Sequence, residues 1–161
     1  MNLDPSDEKL LADIEEHGFH ALHILAEGDL PAFSFSVGFT ETLNAPEVVI
    51  CGLRRELMHN MLWEAFRQIK AGKTLSDGER WRGLIEGFDC ISRPVHPSWN
   101  IEYLGYAIWH HQYRTRSRDV RAFQLFWPGA QQSLLPWQQG CDSFVISQQP
   151  LLYLPREIGL A

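Results

Sequence analysis

Ser34, Ser36, Gly38 and Thr40 stand at alternating positions of one short segment, and alternating side chains of a β-strand share a face. Three hydroxyls could donate to phosphate or carbonyl oxygens, and a glycine among them lets another backbone or a ligand come close. These four residues, with His59, make the candidate ligand-binding set. The intervening Phe33, Phe35, Val37 and Phe39 are large and apolar. The expectation is therefore a strand over 32–40 with phenylalanines inward and compact groups outward. That compact face receives a ligand, lies under the helix read at 54–70, or is merely solvated, as one face of many sheets is.

Other residues with chemical potential lack fixed partners. His17, His20 and His23 invite a metal reading, but His20 and His23 are an odd number of residues apart and would point to opposite faces of a strand. Zinc asks for three or four convergent ligands, so no metal is expected. His110 and His111 are adjacent and diverge by about 100° on a helix. Cys51 precedes a helix start, where a thiolate is favoured, although free cysteines are commonly packed and inert. No nucleophile elbow, phosphate loop, HExxH or dinucleotide fingerprint occurs, and no catalytic residue is assigned. A hydrolase using His59 or the His20/His23 pair lacks an identifiable nucleophile.

Trp99, Tyr103, Tyr106, Trp109, Tyr113, Trp127 and Trp137 are more aromatic surface than a core of this size needs. Tyr and Trp are the usual anchors of protein interfaces, but they also serve as core when their polar ends are satisfied. Charge is uneven. Residues 1–16 carry six carboxylates against Lys9, while Arg114, Arg116, Arg118 and Arg121 surround a single Asp119. Together these features suggest a non-catalytic binding protein whose partner is another protein. An immunity-type protein neutralising a toxin domain is one example. The alternative is a small-molecule or flavin-nucleotide (FMN) site on a split-barrel-like sheet. The aromatic surplus could also serve a homodimer.

The net charge of −6 argues against a nucleic-acid partner, which needs a basic footprint. No run approaches the roughly 18 consecutive apolar residues of a membrane span. Three cysteines without CxxC spacing read as free thiols in a reducing compartment, so a cytoplasmic location is expected.

The elements that must position these residues follow from caps and periodicity. Asp4, Pro5 and Asp7 start a helix that Gly18 stops, accounting for 1–17. Phe19–Ala26 and 32–40 read as paired strands, and Glu47–Cys51 as a short β-branched strand. Leu57, Met58, Met61, Leu62, Ala65, Phe66 and Ile69 have helical spacing over Arg54–Lys70. Weaker strands lie at Arg82–Glu86 and Phe88–Val95, a helix at Asn100–Tyr113, and a strand at Ala122–Trp127. Residues 134–161 read as a packed coil with a short strand. At 161 residues the chain suits a single domain of α+β class. It would have a curved, mostly antiparallel sheet flanked by two or three helices.

The blocks Gly18-Phe19-His20, the run Pro31 to Thr40, Pro46-Glu47-Val48-Val49-Ile50, and Gly52-Leu53 leading to His59 together resemble the bacterial family called domain of unknown function 4262. Arg93-Pro94-Val95, Tyr103 to Ala107, Phe123 to Pro128, Pro136-Trp137 and Gln149-Pro150-Leu151 extend the resemblance over about 15–152. Arg54-Arg55, His96 and the basic segment His110–Arg118 depart from the family's usual look. The resemblance implies a small soluble protein and carries no reaction or site residues with it.

Overall fold

The computed structural model describes residues 2–157. Position 1 of the expected N-terminal segment and 158–161 of the expected tail lie outside them. Helix α1 spans Pro5–His17 and begins with a capping box, in which Asp4 and Asp7 each accept the other's backbone N–H. It ends at Gly18, whose φ of 101° is open to glycine and strained for other residues. Strands β1 (His20–Ile24) and β2 (Phe33–Val37) form an antiparallel pair, and β3 (Glu47–Cys51) is buried along its whole length. Helix α3 (Arg55–Lys70) follows the short helix α2 (Phe39–Leu43) and β3 in the chain.

The strand expected over 32–40 is shorter than its alternation suggests. Gly38, at φ 115°, turns the chain out of β2 and into α2. Phe39 consequently leaves the face of Phe35 and packs edge-on against Phe19, at 5.0 Å between ring centres.

Strands β4 (Glu79–Ile85) and β5 (Phe88–Pro94) form a hairpin. The helix expected at 100–113 is two helices, α4 (Asn100–Tyr103) and α5 (Gly105–Thr115), because the buried Leu104 has left helical geometry with φ −128° and ψ 27°. Strand β6 is Ala122–Phe126. The tail contains helix α6 (Ser143–Gln148) rather than a strand. Asp142 accepts the Phe144 N–H at 2.7 Å and so supplies the N-cap.

The six strands lie in the order β1-β2-β3-β6-β5-β4, antiparallel except for the β3–β6 pair. The sheet stays open, with β1 and β4 at its edges. Helix α3 covers one face and reaches strands at both edges, burying Met58, Met61, Leu62, Ala65, Phe66 and Ile69. Its side chains also occupy the free edge of β4. Gln68 donates to the Arg82 carbonyl at 2.7 Å, and Lys73, just beyond the helix, donates to that of Arg80 at 2.6 Å.

Leu10 and Ile14 of α1, Tyr103 of α4, and Ala107 and Ile108 of α5 pack on the opposite face with Phe35 and Val37. With both faces covered, the compact side of β2 does not point outward. Ser34 and Ser36 are 0% exposed and belong to the sheet face that α3 covers. Among the described residues, hollows open at the rim of α3, between α2 and α5, and beside the β4–β5 hairpin.

Candidate functional site

The polar residues of β2 part company. Because β1 and β2 are antiparallel with His23 opposite Ser34, both side chains leave the sheet on the α3 face. The Ser34 hydroxyl hydrogen-bonds to His23 Nδ1 at 2.6 Å, and His23 Nε2 lies 3.3 Å from His59 Nδ1 on α3. Thus a buried hydroxyl is linked through two imidazoles to a surface hollow of about 400 Å3. Arg55, Glu56 and Asn60 line the same hollow. A second hollow of about 460 Å3 shares His59 and Asn60 and continues towards Trp63 and Arg67. Burial, reinforced by nearby Arg55 and His59, lowers the His23 pKa to about 4, so this ring is neutral at pH 7.

Ser36, Gly38 and Thr40 converge elsewhere, on Glu47. Its carboxylate accepts the Ser36 hydroxyl at 2.8 Å and the backbone N–H groups of Gly38, Phe39 and Thr40 at 3.3, 3.0 and 3.1 Å. Burial raises the Glu47 pKa while these donors pull it back. Ser36 also accepts the Val48 N–H at 2.9 Å, and the Thr40 hydroxyl donates to the Ala45 carbonyl at 3.0 Å. These residues organise the turn from β2 into α2. Reasoning from sequence missed Glu47; its only signal is an acidic residue opening an otherwise apolar β-strand.

Beside this turn, a cavity of about 140 Å3 lies between α2 and α5 and is lined by Thr40, Glu47 and His110. His110 Nε2 is 3.0 Å from Glu41 Oε2, off the line of a hydrogen bond, while Arg114 Nε is 3.3 Å from Glu41 Oε1. His111 is half-buried and lines the same cavity. The other histidines disperse. His20 Nδ1 meets Asp13 at 2.7 Å on the α1 side, and His17 lies 3.8 Å from Glu16.

The aromatic set also divides. Tyr103 packs on Phe33 at 4.6 Å in the core, and Trp127 is buried with its indole N–H on the Cys51 carbonyl at 2.7 Å. Trp137 meets Phe126 and Tyr153 edge-on, and the Arg93 guanidinium lies over both Tyr153 and Trp137, at 3.7 and 5.0 Å from their ring centres. Trp99 donates to the Leu154 carbonyl at 2.7 Å. Tyr106, Trp109 and Tyr113 run along α5 as a ladder. Tyr113 is exposed, and the Tyr106 hydroxyl donates to Asp7.

Cys51 and Cys90 are buried, and burial pushes each thiol up to about 12. The reactive-thiol alternative at Cys51 therefore loses its basis. A thiol-exchange reagent should titrate Cys141 alone in the native protein, and all three cysteines after unfolding. Rapid native labelling of Cys51 would contradict this burial.

No curated protein and no solved structure shows significant similarity to the chain. With Glu47–Ile50 lying in the inner strand β3 and the run from Phe33 to Thr40 turning on Gly38, these sequence blocks occupy connected parts of one fold. Residues 13–142 match the family described as Domain of unknown function (DUF4262), and the chain belongs to that family.

Proposed function

We propose that this protein is a binding protein whose partner is an acidic surface of another protein, docked on α5 and the basic segment after it. The aromatic ladder carries this reading. Trp109 and Tyr113 stack at 5.3 Å with 16° between their planes, and Tyr106 meets Trp109 edge-on at 5.5 Å. Such rings are already ordered before binding, so little side-chain entropy is lost when they anchor a partner. Arg114 lies 5.4 Å from the Tyr113 ring centre, and Arg116, Arg118 and Arg121 are exposed nearby in sequence. Their charge steers an acidic surface towards the ladder even though the whole chain is acidic. A toxin domain neutralised by an immunity-type protein is one partner of this chemistry.

Affinity capture with the wild-type chain and with Tyr113→Ala and Arg114→Glu/Arg118→Glu variants tests the assignment. We expect a partner retained at low salt, released as salt rises, and bound at least about tenfold more weakly by either variant. If the chain remains alone at low salt, or the partner ignores both variants, this surface is not the interface.

A second reading, a small polar ligand, finds support in the hydrogen-bonded Ser34–His23–His59 series opening on the α3 hollow. It moves the small-molecule site from the β2 face to the helix rim. Thermal shifts across a panel of flavin mononucleotide and other nucleotides test it, and a panel without stabilisation removes it.

A further inference from the structure

His23 and His59 approach one another from different elements, β1 and α3. Nε2 of the first is 3.3 Å from Nδ1 of the second, and the ring centres are 5.4 Å apart with a 43° tilt. Two imidazole nitrogens bound to one tetrahedral ion by bonds of about 2.0–2.1 Å stand about 3.3–3.4 Å apart, with ring centres about 5.3 Å apart. From this match we propose that His23 Nε2 and His59 Nδ1 chelate a divalent late transition-metal ion, zinc or copper, at the α3 hollow. The proposal is independent of protein docking on α5.

Several neighbours suit this role. Ser34 Oγ lies 2.6 Å from His23 Nδ1 and is itself buried, so it holds the nitrogen that does not bind metal and sets the ring's orientation. Ligating histidines are ordinarily oriented in this way by a second hydrogen bond. Glu56 lines the hollow one turn before His59 on α3. Its exposed side chain is free to change rotamer and supply a third donor, with water as the fourth. Arg55 shares the rim and opposes the cation, while Glu56 offsets that charge.

Among the described residues, no group of three or more His, Cys, Asp or Glu is already gathered for a metal. The site therefore has two fixed donors and recruits the rest. The competing arrangement is a hydrogen bond between the two rings, in which one ring N–H points at the other nitrogen. Nearly the same spacing serves both, but only the chelate responds to metal.

Titration calorimetry of the full chain with zinc and with copper(II) separates them, using a Cys141→Ser background to remove the accessible thiol. A one-to-one event is expected, tighter for copper than for zinc. His59→Gln and His23→Gln should each weaken it at least tenfold, and Ser34→Ala about tenfold through loss of the orienting bond. The copper form should show two imidazole nitrogens in its electron paramagnetic resonance spectrum. His59 is half-buried at the rim of the hollow, so His59→Gln is expected to keep the fold and serves as the deciding variant. No one-to-one event, or one that His59→Gln leaves unchanged, overturns the proposal.

Discussion

Replacing Glu47 by glutamine is expected to destabilise the protein by about 2–4 kcal/mol, the range for disturbing a buried, multiply bonded charged group. The carboxylate offers acceptor oxygens to four donors, whereas the amide replaces one oxygen with an NH2 group that meets a backbone N–H head-on. Glu47→Ala should cost more, since the Ser36 hydroxyl and the N–H groups of Gly38, Phe39 and Thr40 lose their acceptor together. Ser36→Ala removes one donor and should cost about 1–2 kcal/mol. Urea unfolding with linear extrapolation checks the order of the three variants. A Glu47→Gln protein within about 0.5 kcal/mol of wild type, the usual range for an uninvolved surface change, would show that the donors find other partners. Beyond stability, α2 carries Glu41 to His110 and Arg114, so loosening the Glu47 turn should also disturb the base of α5, where docking is proposed.

Gly52→Ala should be comparably damaging, at about 3 kcal/mol from backbone strain and overlap together. Gly52 joins β3 to α3 with φ 81°, and a Cβ there would lie 2.4 Å from the Gln148 carbonyl oxygen. That atom belongs to the backbone at the end of α6, so it has no rotamer through which to yield. Gly87 is the control, with φ 82° and no heavy atom within 4 Å of an added Cβ. Gly87→Ala should therefore cost only about 1 kcal/mol, the lower end of strain for a positive φ. The difference between the variants isolates the contact with α6. Relief of the overlap would push α6 outward, where the Gln149 side-chain amide accepts the Trp127 N–H at 2.9 Å and donates to the Trp127 carbonyl at 2.8 Å. Limited proteolysis should then cut the segment after Asp142 faster in Gly52→Ala than in Gly87→Ala, and equal rates would argue against that coupling.

Local rules in the chain determine several of its elements. Asp4 and Asp7 start α1 and Gly18 stops it. The apolar spacing of α3 selects the buried side, and the alternation in β2 sends Phe35 and Val37 one way and Ser34 and Ser36 the other. Each of these depends on residues within a turn or two of one another. The opposite-face placement of His20 and His23 follows in the same way, from strand parity alone.

Long-range packing decided the rest. Whether the compact face of β2 met solvent or a helix depended on where α3 came to rest, and it came to rest across that face because its apolar stripe had to be covered. The turn at Gly38 moved Phe39 between cores, since a positive φ redirects the chain where side-chain alternation registers nothing. His23 and His59 are 36 residues apart, and Glu47 is 7 to 11 residues from its four donors, so neither grouping leaves a local pattern. Periodicity reports which side of an element is apolar; the identity of what covers that side emerges only when distant segments compete to bury it.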